Sequence, residues 1–324
     1  MEDAAEDGAE GVAGTLLIVN ADDFGMTEGI CRGVLRSHEH GIVTSTSALV
    51  VGPAFPRYRD SLRDSGIAVG AHLAAVGEDA PVLTAAEIPS LVDRSGQFPL
   101  TWRHFVARAA VGAVDPDDLR RELSAQLDVL LDAGIEPSHV DTHQNLHLWP
   151  SVSGVVLDLA RARGIHAVRL PRSIRWTPVS SGVRLLADRL ARTAAAAGVA
   201  FPARSAGLDE AGELDANRVK EVVGRLASSQ VASVELVTHL AEDPDPGRAR
   251  YRSDYRWGDD LDAMLDPLVR ARVDELGFRL GTYHDLPSAA RRPAASRSPI
   301  VPAARTITPA RPTTPSPAAH RNAS

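Results

Sequence analysis

The sequence of 324 residues is poor in cysteine, in aromatic residues and in long apolar runs. Its single cysteine, Cys31, excludes an internal disulfide, and no stretch approaches the roughly 20 apolar residues of a membrane helix. The net charge of −7 argues against nucleic acid as a partner. The acidic N-terminus lacks the basic and apolar regions of a secretory signal. We therefore predict a cytoplasmic protein without a membrane span.

The composition predicts one large folded domain between two unfolded ends. A hydrophobic content of 44% with 24% charged residues suits a soluble protein with a large core. Residues 1–13 carry five acids and no base, whereas residues 287–324 carry six arginines, no acid and much Pro, Ala, Ser and Thr. Such segments bury too little apolar surface to order themselves. We predict that both ends are disordered and that residues 14–286 form the folded domain.

Short apolar segments alternate with helical patterns along this domain. The predicted strands are 15–20, 42–51, 67–73, 138–143, 165–171, 232–240 and 278–286. The predicted helices are 27–41, 54–66, 115–134, 151–164 and 258–277, and residues 77–113 resemble an insertion. Alternating strands and helices predict a parallel sheet with helical crossovers. The number of units favours an α/β fold of the (β/α) barrel type, distorted and with six to eight strands.

Polar residues stand at the ends of four predicted strands. Asp22 and Asp23 follow the first strand, His72 ends the third, and His143 and His239 end two later ones. In a parallel barrel all carboxyl ends of strands open on one face, so we expect these side chains to converge. Each histidine alone would more often be structural, and the two aspartates alone could equally form a turn that caps a helix.

The segment HVDTHQNLHLWP is the densest in potential ligands. It holds His139, Asp141, His143 and His147. A helical metal motif is excluded because the preceding helix ends earlier and Pro137 intervenes. In a strand the first three residues share one face, and a carboxylate between imidazoles can orient a ring for metal binding. We favour a functional role over a polar loop of hydrogen-bonded histidines.

Five segments resemble the YdjC-like carbohydrate deacetylases, the family of the diacetylchitooligosaccharide deacetylase and of a hopanoid-biosynthesis-associated homologue. The segments are LIVNADDFG, GIVTSTSALV, VGAHL, HVDTHQNLHL and FRLGTYHDL, in this order between Leu16 and Leu286. The resemblance implies a barrel related to the polysaccharide deacetylase barrels. It also implies a divalent metal, usually described as magnesium.

The resemblance assigns roles to individual residues. It implies that His72, His143 and Asp23 bind the metal and that Asp22 is the general base. The family commonly has Cys-His-Pro where this chain has Thr-His-Leu, so only His239 is kept there, and we predict that it is the general acid. The implied function is metal-dependent hydrolysis of an N-acetyl group on an amino sugar.

Further residues near the motifs are predicted to support this site. We expect His139 and Asp141 to orient the ligands, with His147 beside them. Arg169 is a candidate contact for a carboxylate or the sugar, and a surface or structural role for it is an equal alternative. Two imidazoles and one carboxylate suit zinc, manganese or magnesium; the ligand chemistry favours zinc and the resemblance favours magnesium.

Two other functions remain open at this stage. A different metal hydrolase, such as a phosphoesterase, should have more basic residues in its motifs and often a second metal. A non-catalytic metal- or sugar-binding protein would not need Asp22. The aromatic content of 4% favours a short oligosaccharide or glycolipid head group over a polymer, and a homodimer is compatible with the sequence. The available stacking platforms are Trp102, Trp149, Trp176 and Trp257.

Overall fold

The computed structural model describes residues 14–287, so both ends predicted to be disordered, apart from Pro287, lie outside the described residues. The strands are β1 Leu16–Phe24, β2 Ser45–Ala48, β3 Ala68–Leu73, β4 Val140–Thr142, β5 Arg204–Ala206, β6 Ser233–Thr238 and β7 Arg279–Gly281. The helices are α1 Glu28–His40, α2 Phe55–Asp64, α3 Trp102–Ala110, α4 Pro116–Asp132, α5 Pro150–Ala162, α6 Pro178–Ala196, α7 Ala216–Ala227, α8 Trp257–Leu265 and α9 Pro267–Glu275. Each helix within the described range is too short or too polar to cross a membrane.

The strands form one curled parallel sheet, a distorted barrel. They are hydrogen-bonded in the order β4-β3-β2-β1-β6-β5, all in parallel, and β7 pairs with the first half of β1. Val140 of β4 forms a parallel bridge to Val168, and Ala167 forms one to Ala200, just before β5. These bridges extend the curl of the sheet from β4 to the segment that precedes β5. The predicted barrel and its strand number are therefore confirmed.

The central strand β1 separates the two parts of the core. Leu17 and Val19 face outward into the large cluster under the helices, whereas Leu16 and Ile18 face inward with Tyr283 in a small second cluster. Side chains alternate between the two faces of a strand, so every second residue of β1 points to the inside of the barrel. Toward the carboxyl end of β1 these inward residues are polar. The barrel is thus apolar at its base and polar at its mouth.

Two helices begin at the residues that the sequence predicts. The Thr27 hydroxyl accepts a hydrogen bond from the Ile30 amide at 3.2 Å and starts α1. The Asp115 carboxylate accepts from the Asp117 amide at 2.9 Å, and a proline stands in the first turn of α4. Both caps satisfy amides that have no partner within their helix.

Some predicted boundaries are wrong. The single helix predicted for 258–277 is two helices, because Pro267 cannot continue α8 and Asp266 caps α9 instead. The strand predicted for 165–171 is reduced to bridges at two residues, and the last strand ends at Gly281 in a turn of 3-10 helix. Helices α3, α6 and α7 and strand β5 were not predicted; α3 lies within the segment 77–113 that resembles an insertion.

Replacing Gly70 by alanine should destabilise the barrel. A Cβ at this position of β3 would lie 2.1 Å from Cε1 of His139, whose ring is held by hydrogen bonds to Ser47 and Ser138. We expect a loss of about 1–3 kcal/mol in the free energy of unfolding, measured by denaturant titration. Gly154→Ala in α5 is the control, because its Cβ would meet open space; it should be neutral or stabilising by about 0.5–1 kcal/mol. Equal stability of the Gly70 variant and the wild type would contradict this packing.

Candidate metal centre and active-site cleft

Three potential metal ligands converge at the mouth of the barrel. Asp23 Oδ1 lies 3.1 Å from His143 Nδ1 and 3.4 Å from His72 Nε2, and the two nitrogens are 3.4 Å apart. One ligand atom from each residue lies within 4.8 Å of the others. The three residues come from the ends of β1, β3 and β4, which are distant in sequence; in the sheet β3 and β4 are neighbours, and β2 lies between β3 and β1.

The backbone at the end of β1 explains the adjacent aspartates. In a regular strand two neighbouring side chains would point to opposite faces. Here the register with β2 shifts between Ala21 and Phe24, and Asp23 has a left-handed φ of 65°. This irregularity allows both Asp22 and Asp23 to line the same cleft. Such a backbone conformation is costly for a residue other than glycine and is concentrated at functional sites.

The His72 ring is oriented by Asp141. Its Nδ1–H donates to Asp141 Oδ1 at 2.9 Å, which leaves Nε2 facing Asp23 and His143. Burial alone would lower the pKa of His72, but the carboxylates of Asp141, Asp23 and Asp22 together outweigh it and raise the pKa to about 10. The carboxylates around His72 therefore favour positive charge on its ring. They would stabilise a metal cation bound to Nε2 in the same way as they stabilise the proton.

Arg169 links three buried carboxylates beneath the ligands. Its Nη1 and Nη2 bind both oxygens of Asp22 at 2.7 and 2.6 Å, and its Nε donates to Glu235 at 2.9 Å. It also forms an ion pair with Asp141. Arg169 is 1% exposed, so it is neither a surface residue nor a loosely placed one. Its edge also lines the cleft.

The charges of this cluster fit a divalent cation. Arg169 brings one positive charge against Asp22, Asp141 and Glu235, and Asp23 adds a further buried carboxylate. Burial raises the pKa of Glu235, whereas Asp23 and Asp141 have lowered pKa values despite their burial. An excess of buried negative charge is unfavourable unless a cation balances it. The residues present therefore fit a metal at Asp23.

The environment of the second cluster of ligand atoms disfavours a metal. Asp22, His72 and Asp141 also bring their donors within 4.8 Å of one another. The guanidinium of Arg169 already binds both carboxylates, so a metal there would be placed against a fixed positive charge. Among residues 14–287 no arginine forms an ion pair with the cluster of Asp23, His72 and His143, which opens to the cleft.

His139 and His147 lie away from the cleft. His139 stacks on Tyr283 with ring centroids 3.6 Å apart and bonds to Ser47, which in turn donates to Asp141. Burial lowers the pKa of His139 to about 3 and that of His147 to about 4. His147 bonds to a threonine hydroxyl behind the ligands. Neither ring lines the cleft. His139 is linked to Asp141, the residue that orients His72, only through Ser47.

His239 stands at the end of β6 and faces Asp22. Its Nε2 is 3.8 Å from Asp22 Oδ2, beyond hydrogen-bond distance, and its ring packs edge-on against Tyr255 and Trp257. The Asp260 carboxylate accepts from the His239 backbone amide rather than from the ring, whose Nδ1 is buried without a hydrogen-bond partner in the described part of the chain. The aromatic contacts therefore position this imidazole at the cleft wall.

The cleft has a volume of about 370 Å³ and is framed by aromatic side chains. It contains Asp22, Asp23, His72, His143 and His239 on one wall. The aromatic residues of its lining are Trp102, Tyr251, Tyr255 and Trp257. The two tyrosines were not predicted, and nothing in their local sequence distinguishes them from surface residues.

Four buried polar residues of the supporting network were also missed. They are Asn20 on β1, Ser47 on β2, Glu235 on β6 and Tyr283 in the final turn. Asn20 donates to Asp22, and Ser47 donates to Asp141. Glu235 accepts from Arg169 and from the Tyr283 hydroxyl. A polar residue inside an otherwise apolar strand, as in TLLIVN and SVELVT, is the signal that could have identified Asn20 and Glu235.

The fold and the ligand cluster define a parallel α/β barrel with a candidate metal centre at the carboxyl ends of its strands. The chain belongs to the YdjC-like family: the model for YdjC-like protein matches residues 16–275. The resemblance noted in the motifs is thereby confirmed.

Two curated relatives carry deacetylase names. A chitooligosaccharide deacetylase from Enterobacter sp. (strain 638) is 29% identical over 280 residues, which cover 84% of this chain and 99% of that protein. A carbohydrate deacetylase from Enterococcus faecalis (strain ATCC 700802 / V583) is 35% identical over 162 residues, which cover 49% of this chain and only 60% of the relative.

A solved structure shares the whole fold. The crystal structure described as a putative cellobiose-phosphate cleavage protein from Enterococcus faecalis V583 superposes with a TM-score of 0.69 at 26% identity. The match covers 83% of this chain and 98% of that one.

Proposed function

We propose that this protein is a divalent-metal-dependent deacetylase that removes an N-acetyl group from an amino sugar. The observation that carries the proposal is the convergence of Asp23, His72 and His143 beside Asp22 and His239 in one cleft. The names of the two relatives supply the substrate class. The cleft of about 370 Å³ suits one or two sugar rings rather than a long polymer.

In this proposal Asp23, His72 and His143 hold the metal. When bound, a divalent cation would polarise the amide carbonyl and lower the pKa of a water. Asp141 holds the His72 ring in the tautomer that presents Nε2 to the site. Magnesium is proposed from the family resemblance, although the two imidazoles favour zinc. The cytoplasmic location and the homodimer stay predictions from the sequence.

Two side chains move protons in the proposed reaction. Asp22 accepts a proton from the attacking water, whose oxygen adds to the amide carbon. Arg169 fixes the Asp22 carboxylate by two hydrogen bonds, so the base is already oriented before substrate binds. His239 donates a proton to the amide nitrogen as the C–N bond breaks. The products are acetate and the free amine.

The charge of the cleft disfavours the phosphoesterase alternative. A phosphate ester is anionic and would need basic groups around the site. The guanidinium of Arg169 is occupied by three carboxylates, and Asp23 adds further negative charge. The lining also holds Arg252, together with the carboxylate of Glu78. A neutral N-acetyl group meets no such repulsion.

Replacing His239 by alanine should separate two kinds of substrate. The amine can leave only after it receives a proton, whereas the phenolate of an activated aryl ester leaves without one. The variant should therefore lose about 10²–10⁴-fold in kcat on the amide and much less on an aryl acetate. Parallel assays of acetate and phenol release measure both. Equal losses on the two substrates would assign the general acid to another residue.

The experiment that tests the proposed function is an acetate-release screen with metal-loaded protein. N-acetylated chitooligosaccharides and related sugars would be incubated, and acetate and free amine quantified together. We expect equal amounts of both products. Phosphate release from sugar phosphates without acetate release would instead support the phosphoesterase.

A further inference from the structure

The aromatic side chains that line the cleft come from two parts of the chain. Tyr251, Tyr255 and Trp257 stand close together in the segment that follows β6. Trp102 is the first residue of α3, and this helix packs against the segment His143–Leu148, which follows β4. In the sheet β4 and β6 are separated by β3, β2 and β1. Trp102 therefore lines the cleft from a different side than the other three rings.

The three rings after β6 are largely covered by the protein itself. Trp257 and Tyr251 are only 5% and 9% exposed. Tyr255 packs against Trp257 and against the His239 ring, with centroids 5.2 and 4.9 Å apart. The backbone of Gly212 lies against the same tyrosine, because a Cβ at that position would lie 2.3 Å from the Tyr255 ring. These contacts position the His239 imidazole and leave little aromatic surface for a ligand.

Trp102 is half-buried and has one ring face covered. The Arg103 guanidinium lies over this face, 4.9 Å from the ring centroid, which is a cation–π contact. Arg103 lines an adjoining cavity that Trp102 also borders, but it does not belong to the lining of the cleft. The guanidinium therefore lies on the side of the adjoining cavity, and the other face of the indole is available to the cleft.

Gln144 fixes Trp102 relative to the metal centre. It directly follows the candidate ligand His143 and has a left-handed φ of 52°, a conformation that non-glycine residues adopt where the surroundings enforce it. Its side chain accepts from the Trp102 amide at 2.8 Å and donates to the Leu100 carbonyl at 3.0 Å. Thr101 does not cap α3 with its side chain, so Gln144 supplies a partner that the first turn otherwise lacks.

We propose that Trp102 is a specificity-determining residue whose indole stacks on the sugar ring next to the reacting N-acetylated ring, so that a disaccharide is preferred over a monosaccharide. This inference rests on the proposed function. The C–H bonds on one face of a pyranose ring form an apolar surface, which the indole removes from water. A second ring joined through one glycosidic oxygen lies near the metal centre, and Trp102 is the aromatic residue of the lining with a face left to receive it.

The test measures kcat/KM for acetate release from N-acetylglucosamine and from N,N′-diacetylchitobiose with metal-loaded protein. Removing about 50 Å² of apolar surface from water strengthens binding by about tenfold. The wild type should prefer the disaccharide, and Trp102→Ala should lower the disaccharide-to-monosaccharide ratio about tenfold. The loss should appear mainly in KM, because the stacked ring is remote from the reacting bond. Trp102→Phe keeps a smaller aromatic face and should retain part of the ratio.

Trp176→Ala is the matched control. It makes the same truncation at a tryptophan that is 94% exposed and does not line the cleft, so the wild-type ratio should persist. Thermal unfolding of each variant, recorded on the same preparation, shows whether it is folded. The phenylalanine variant keeps the inference testable if the alanine variant does not fold.

Four results would overturn the inference. The first is a wild-type ratio near 1, and the second is an unchanged ratio in the Trp102 variants. The third is an equal loss on both sugars, which would mean that Trp102 supports the cleft as a whole. The fourth is an equal loss of the ratio in the Trp176 control. If the wild type releases acetate from neither sugar, the proposed function fails by itself; calorimetric binding of both sugars to the wild type and to Trp102→Ala then decides the role of Trp102 on the ratio of affinities.

Discussion

Replacing Asp22 by asparagine is expected to lower kcat by about 10²–10⁴-fold while the protein keeps its metal. The amide cannot accept a proton from water, but it is nearly the same size as the carboxylate and its oxygen can still accept from Arg169. Asp22 faces the cleft next to the candidate ligands without belonging to the favoured cluster. Steady-state acetate release and elemental analysis on the same preparation measure the two effects.

The neighbouring aspartate supplies the matched control. Asp23→Asn removes the only carboxylate of the favoured cluster, so metal content and activity should fall together. Loss of metal in the Asp22 variant with retention in the Asp23 variant would show that the two roles have been assigned in the wrong order.

Replacing Arg169 by methionine should cost about 3–5 kcal/mol in the free energy of unfolding at neutral pH. The variant leaves Asp22, Asp141 and Glu235 buried without their shared cation. Equilibrium unfolding of metal-free protein in denaturant measures the change. Arg120→Met is the control, because its ion pair with Asp158 is exposed and should contribute no more than about 1 kcal/mol.

The pH dependence of this loss has a definite sign. Arg169 and His72 lower the folded-state pKa of Asp141 below the model-peptide value of 3.8, despite its burial. A carboxylate with a depressed folded pKa stabilises the protein fully above its unfolded pKa, and this contribution is lost as the pH falls toward the folded value. The stability difference between the wild type and the Arg169 variant should therefore be largest above pH 5 and shrink below about pH 4. A difference that is constant over this range would rule out an electrostatic origin.

Patterns within short segments of the sequence predicted the strands, the helices and the side chains at the strand ends. Alternating apolar segments and capped helices indicated the barrel, and parallel strand ends placed Asp22, His72 and His143 on one face. The short strand β5 was missed because RSA is partly exposed and has no apolar run. The break at Pro267 could have been recognised from the residue alone, since proline lacks the amide that a continuous helix requires.

The partners of Arg169 could not be predicted, because they are a tertiary property. Asp22, Asp141 and Glu235 come from β1, β4 and β6, and only the curling of the sheet brings them to one guanidinium. The same limit applies to His139. Its position in the strand indicated that it points inward, but its stacking on Tyr283 below the ligands depends on which side chains pack in the base of the barrel.

The central claim is that the site of Asp23, His72 and His143 binds the metal on which amide hydrolysis depends. It is tested most directly by titrating chelator-treated protein with a divalent metal while acetate release from an N-acetylated chitooligosaccharide is recorded. We expect activity to rise in proportion to added metal and to level off at about one equivalent per chain, and His143→Ala to stay inactive although folded. Full activity of the chelated protein, or equal activation of the His143 variant, would contradict the account.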